Sequence, residues 1–257
     1  YKNCHVLAHE LSAKQTAKNI ANWQSVVTRA PFDMCSGGGS HGAFQERYRV
    51  DAMPNVSTEV LIEELEGVCV PNSTWRPSDY ERDNCWHALG HLSMYITDGN
   101  TDKSLDLCRG LIPVGNDNRN WQSCYHGVFM QTFQPLEPED YALIAGNEVR
   151  TPEESDSFCD RTNQTERLAC SIERWAVFPD VFASPFRIEL PCSLISNDED
   201  GEFCRDAMFM IGFTVEGNGN PEWASDFCSQ LDEEMAGQCY AKMAARIIQL
   251  NADEYKE

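Results

Sequence analysis

The sequence predicts an all-α fold built from disulfide-linked helical hairpins that stack in a solenoid-like manner. Twelve cysteines include no Cys-x2-Cys motif, and most of them form pairs that recur along the chain. Several segments combine helix-type spacing of apolar residues with a helix start signal, whereas alternating strand patterns are scarce. Together these observations favour helices joined by disulfides over a sheet or a cysteine-based zinc-ribbon fold.

Five cysteine pairs define the predicted repeat, and 10 to 15 residues separate the partners within a pair. The pairs are Cys69/Cys85, Cys108/Cys124, Cys159/Cys170, Cys192/Cys204 and Cys228/Cys239. The second cysteines follow one another at intervals of 34 to 46 residues, a period typical of helical-hairpin repeats. We expect each disulfide to tie the end of one helix to the start of the next, which stabilises the fold by about 3 kcal/mol per bridge. The remaining Cys4 and Cys35 are expected to pair with each other.

In the first half of the chain, a helix is predicted over Ser57 to Glu66, with Val60, Leu61 and Leu65 on one face. In the second half, Thr151-Pro152-Glu153-Glu154 has the pattern of a helix start, with Glu154 at the capping-box position.

The end of the chain contains two further helix predictions. Asn220 is a candidate N-cap with Pro221 at the first helical position. Cys239 to Ile248 has an amphipathic helical pattern. Phe209 to Val215 is the segment that competes best as a strand.

The charge balance excludes two classes of partner. Forty-one acidic residues against twenty Lys and Arg give a net charge of −21, which repels nucleic acid and anionic lipid. No run of 18 apolar residues is present, so no membrane span is expected.

The cysteines predict an oxidising compartment, either secreted and extracellular or periplasmic. Sequons at Asn55, Asn72 and Asn163 agree with an exported glycoprotein.

All six histidines belong to one doubled pattern. His5 and His9 form a His-x3-His pair, as do His87 and His91, and each pair is followed 32 or 35 residues later by a His-Gly-x-Phe-x-(Glu/Gln)-x-aromatic motif. That motif begins at His41 in the first copy and at His126 in the second. The sequence thus predicts two matching helical modules, residues 1–68 and 69–150, followed by a histidine-free scaffold of helical repeats, residues 151–257.

The spacing of the histidines indicates metal binding. Residues i and i+4 lie on one face of a helix, so two imidazoles at that spacing can reach one ion. The glycine after the third histidine would let its helix approach closely. Three imidazoles without a carboxylate suit zinc or copper better than calcium or magnesium, and three protein ligands leave one position open. In later repeats Ile172, Asp206 and Ala241 occupy the equivalent place, so the hairpin itself does not require histidine.

The two histidine sets could form separate sites or face each other in one dinuclear site. The second arrangement resembles the type-3 copper centres of arthropod hemocyanins and phenoloxidases, which also use helical His-x3-His pairs with a third histidine further along the chain. The resemblance implies that His5, His9 and His41 hold one copper ion and that His87, His91 and His126 hold the other. It also implies dioxygen as a ligand, with carriage or oxidation of a small substrate as the function. Trp86, Tyr125, Phe44 and Phe129 are candidate pocket walls.

Other functions stay open at this stage. A zinc hydrolase would need a general base, and Glu10 or Glu46 could serve, although neither lies in an HExxH or HxxEH motif. Non-covalent haem held by two histidines is another hypothesis, although no attachment motif supports it. A non-enzymatic reading is an extracellular assembly or adhesion protein, in which a homo-oligomer of stapled repeats presents a surface to partners.

Overall fold

The computed structural model describes residues 2–27, 29, 38–48, 58–71, 76–111, 122–135, 138–160 and 163–250. The described residues form helices and turns, with no strand among them. Contacts divide the chain into two units, Tyr1–Glu148 and Val149–Glu257.

The first unit contains eight described α-helices. These are α1 (Lys2–Ala17), α2 (Trp23–Val27), α3 (Gly38–Arg47), α4 (Thr58–Leu65), α5 (Asp79–Ile96), α6 (Thr101–Gly110), α7 (Ser123–Phe133) and α8 (Pro138–Leu143). Helix α1 packs along α3, α5 packs along α7, and α3 also contacts α5. This last contact brings together histidine-bearing helices from the two predicted modules.

Glycine allows two of these helix pairs to approach closely. A Cβ atom on Gly42 would lie 1.9 Å from the His9 carbonyl oxygen, and one on Gly127 would lie 2.0 Å from the His87 carbonyl oxygen. Real Cβ atoms do not approach backbone oxygens this closely, so both positions require glycine unless the helices move apart. The prediction that the glycine after each third histidine permits a close helix approach is confirmed.

The second unit contains five described α-helices. These are α9 (Pro152–Cys159), α10 (Gln164–Glu173), α11 (Asp198–Val215), α12 (Pro221–Cys228) and α13 (Glu233–Leu250). Short 3₁₀ turns connect α10 to α11, and α13 packs against α11 and α12. The core includes Met208, Phe209 and Phe213 from α11.

A buried arginine fixes the turns of the second unit. The Arg174 side chain is fully buried, donates to the carbonyl of Pro191 at 2.8 Å and the hydroxyl of Ser193 at 2.9 Å, and pairs with Asp156. Burial lowers the pKa of the guanidinium, and Asp156 opposes that shift. Because a buried charge needs partners, these bonds hold the turns in one arrangement.

The five predicted disulfides are confirmed, with Cα atoms 5.5 to 5.9 Å apart. One detail differs, because the second cysteine does not usually begin its helix. The seventh helical residue is a cysteine in α5, α10, α11 and α13, namely Cys85, Cys170, Cys204 and Cys239. Cys159 and Cys228 are the last residues of α9 and α12, so in these two pairs the end of the first helix lies beside the second turn of the next. The predicted pair of Cys4 with Cys35 depends on Cys35, which lies outside the described residues.

The helix start signals are also confirmed. Thr151 and Glu154 form a capping box at α9, and Asn220 caps α12 with Pro221 in its first turn. Phe209 to Val215, the competing strand, is helical and belongs to α11. The stacking of hairpins into a solenoid stays a prediction.

The prediction of one apolar face on α4 is wrong for one residue. Leu61 and Leu65 are buried, but Val60 is 52% exposed. Successive helical residues are rotated by about 100°, which places Val60 away from the side that Leu61 and Leu65 share.

Candidate metal centre

Three histidines converge between α3 and α5. Helix α3 contributes His41, and α5 contributes His87 and His91. One ring nitrogen from each lies within 4.8 Å of the other two. Among the described residues, no other group of three histidine, cysteine or acidic side chains is this closely spaced. We call these residues the histidine triad.

Local sequence explains the position of the two α5 residues. The helix begins with a capping box in which Ser78 and Glu81 satisfy each other's backbone N–H groups. His87 and His91 are four residues apart, so both rings lie on one face. Their Nε2 atoms are 3.0 Å apart, and their ring centroids are 4.9 Å apart.

The geometry of the triad fits a metal ion. Two nitrogens at about 2.0–2.1 Å from a tetrahedral ion would lie about 3.3 Å apart, close to the observed Nε2 separation. The third ring, His41, has its centroid 4.4 Å from that of His91 and 6.2 Å from that of His87. The three imidazole nitrogens, all within 4.8 Å of one another, could therefore serve as ligands of one ion.

A hydrogen bond orients His91 toward the other two rings. Its Nδ1 lies 2.5 Å from Oε1 of Gln131, on α7. Because a carbonyl oxygen only accepts, Nδ1 carries the hydrogen, and Nε2 of the neutral ring presents its lone pair toward His87. Histidine ligands in metal sites are typically oriented by such a bond from the nitrogen that does not hold the metal.

A cavity of about 30 Å³ lies beside the triad, which gives room for about one or two water-sized molecules. His41 and His91 line it together with His9 from α1. Tyr95, one helical turn beyond His91, and Asp140, on α8, also line it. The Tyr95 hydroxyl donates to Oδ1 of Asp140 at 2.6 Å, and Asp140 is only 9% exposed.

His126 lies outside the triad and next to a different acid. The Ser123 hydroxyl donates to Asp83 at 3.1 Å, and the charge of His126 acts on the same carboxyl group. Burial raises the pKa of Asp83, while the Ser123 bond and His126 oppose the rise. His126 is thus associated with the start of α7 rather than with the cavity.

The triad combines members of both predicted sets. His41 comes from the first set, and His87 and His91 come from the second. His9 joins them at the cavity wall, but it is not within ligand spacing of the group. The side chain of His5 lies outside the described part of the chain, so the first predicted set cannot be placed as a whole.

The glycine contacts help to explain this mixed grouping. Gly42 meets the carbonyl of His9, whereas Gly127 meets the carbonyl of His87. In the packing of these two helix pairs, His9 of the first pair therefore occupies the place that His87 occupies in the second. The sequence pattern instead aligns His5 with His87, and His5 lies one helical turn before His9.

Sequence reasoning missed three polar residues around the triad. Gln131 belongs to the His-Gly-x-Phe motif, and Tyr95 continues the spacing of His87 and His91 by four residues, so both carried a usable signal. Asp140 carried none, because its place depends on how α8 folds back toward α5.

Among the predicted pocket aromatics, Phe44 lines the cavity. Trp86, Tyr125 and Phe129 are buried in the core and do not line this cavity. The candidate base Glu10 forms an exposed ion pair with Lys14 at 3.0 Å on the surface of α1.

No described helix has both the length and the apolar character that crossing a membrane requires. Comparisons with protein-family models, with curated proteins and with solved structures gave no significant match to this chain.

Proposed function

We propose that this chain is a metalloprotein that binds one zinc or copper ion through His41, His87 and His91. The observation that carries the proposal is the convergence of three imidazole nitrogens within 4.8 Å between two packed helices. Three nitrogen donors with no carboxylate among them suit these two metals best.

The proposed ion has a ligand-binding rather than a purely structural role. Structural zinc sites are usually closed by four protein ligands, whereas three ligands leave a position for water or substrate. The triad lies beside a cavity, which supports an open position that faces this space. We therefore propose that the bound ion captures or activates a small molecule there.

A two-copper centre that binds dioxygen is the second candidate. His9 favours it, because this residue lines the same cavity as His41 and His91. A second ion would also need His5 and His126, and His126 is associated with Asp83 instead. The single-ion site is therefore the better supported of the two.

We also propose that the protein works outside the cytosol. Five disulfides in the described part of the chain support this location, since thiols are kept reduced in the cytosol. An extracellular assembly protein would share these bridges, so metal content separates the two functions.

The proposal predicts that replacing any triad histidine with asparagine weakens zinc binding by more than about a hundredfold, since loss of a supporting partner alone costs about 10- to 100-fold. Isothermal titration of the metal-free protein with zinc and with copper measures the affinity and the stoichiometry. The expected stoichiometry is one ion per chain.

His126→Asn is the matched control, because it removes an imidazole from the same unit without touching the triad. Its zinc affinity should stay within a few-fold of the parent. Two copper ions per chain would favour the dinuclear candidate, and the absence of binding would favour the assembly protein.

A further inference from the structure

We infer that the cavity beside the triad is a binding site for small neutral molecules that carry a lone pair at one end and an N–H or O–H donor at the other. The inference rests on the proposed metal site, which would take the lone pair. It adds the residue that receives the donor, Asp140, which Tyr95 holds in place, and it names the class of ligand.

The size of the cavity limits the ligand. A volume of about 30 Å³ accommodates about one or two water-sized molecules, or a compound of about two or three non-hydrogen atoms. Phe44, Leu92 and Met130 form apolar parts of the lining, which restrict where a polar ligand can make hydrogen bonds.

The position of Asp140 determines the polarity of the ligand. Tyr95 lies four residues after His91, so its ring is about 6 Å further along the same face of α5. Its hydroxyl holds the Asp140 carboxyl group in place through the bond at 2.6 Å. Asp140 lines the same cavity as His41 and His91, so a small molecule bound at the triad would share this space with a hydrogen-bond acceptor.

The same carboxyl group selects against anions. A carboxylate accepts several hydrogen bonds but donates none, and it repels a negative charge. Asp140 is 9% exposed, so water screens this repulsion less than it would at the surface. An N–H or O–H donor is favoured next to Asp140, and an anion with only acceptor atoms is disfavoured.

Cobalt-loaded protein tests this selectivity directly, because the visible absorption of cobalt changes when a ligand enters its coordination sphere. Hydroxylamine and azide are the two probes, both small enough for the cavity. At slightly alkaline pH, hydroxylamine is uncharged and offers a hydrogen-bond donor at its far end. Azide is an anion that only accepts hydrogen bonds. Titration of each probe gives two dissociation constants and their ratio.

Asp140→Asn is the decisive variant, because asparagine keeps one oxygen to accept from Tyr95, removes the charge, and replaces the second accepting oxygen with an N–H donor. Hydrogen bonds to charged groups contribute about 1.5–3 kcal/mol, so the preference for hydroxylamine over azide should fall by about 10- to 100-fold. Asp106→Asn removes the same charge from an exposed acid on α6, so it should leave the ratio of the two dissociation constants unchanged.

The outcomes separate the two proposals. Cobalt that binds with the parent affinity while the ratio stays the same in Asp140→Asn would overturn the ligand site and leave the metal site standing. Failure of the parent protein to bind cobalt, zinc or copper would overturn the proposed metal site, and the ligand site with it.

Discussion

Gln131 determines which nitrogen of His91 faces the triad. The amide oxygen takes the hydrogen from Nδ1 at 2.5 Å, and the residue is 3% exposed. A buried bond of this kind fixes both the ring orientation and the tautomer, so less reordering is needed when an ion binds. We therefore expect Gln131 to influence the affinity of the proposed metal site through the orientation of His91.

Replacement of Gln131 with methionine should lower zinc affinity by about 10- to 100-fold, because the His91 ring loses its fixed orientation. Gln131→Glu keeps an acceptor at the same distance and should restore affinity to at least the parent value. Competition against a zinc-binding dye measures both variants. Equal affinities in the methionine and glutamate variants would show that the bond has no such role.

At the scale of helices, the site depends on how closely two helix pairs approach. Helix α1 meets α3 at Gly42, α5 meets α7 at Gly127, and the contact between α3 and α5 brings His41 to His87 and His91. A shift of α3 relative to α5 would change the distances from His41 to His87 and His91. Glycine at these positions thus serves both packing and the triad.

Gly42→Ala should destabilise the first unit by about 1–3 kcal/mol, because the added methyl would overlap the His9 carbonyl and force the helices apart. Urea unfolding measures the loss, and zinc titration of the same variant should show weaker binding. Gly237→Ala, in a helix where nothing lies within 4 Å, is the matched control and should stabilise by about 0.5–1 kcal/mol. Similar stability changes in both variants would contradict the close approach.

For the whole chain, local sequence signals predicted most of the architecture. Cysteine spacing identified five disulfides, because the partners are close in sequence and only a short loop separates them. The caps at Thr151 and Asn220 were equally predictable, since each involves residues within one helical turn.

The grouping of the histidines was harder to predict. His87 and His91 are neighbours through helix geometry alone, whereas the addition of His41 depends on a contact between α3 and α5 across 40 or more residues of sequence. The duplicated pattern suggested two equivalent sets, either separate or facing each other, and did not predict a group that combines His41 with His87 and His91. Asp140 was missed for the same reason.

X-ray absorption at the metal edge of the zinc- or copper-loaded chain is the sharpest test of the proposed site. We expect one ion per chain, about four nitrogen or oxygen neighbours at about 2.0–2.1 Å, and outer-shell scattering from three imidazoles. A metal–metal distance, scattering from sulfur, or fewer than three imidazoles would contradict a single-ion site at His41, His87 and His91.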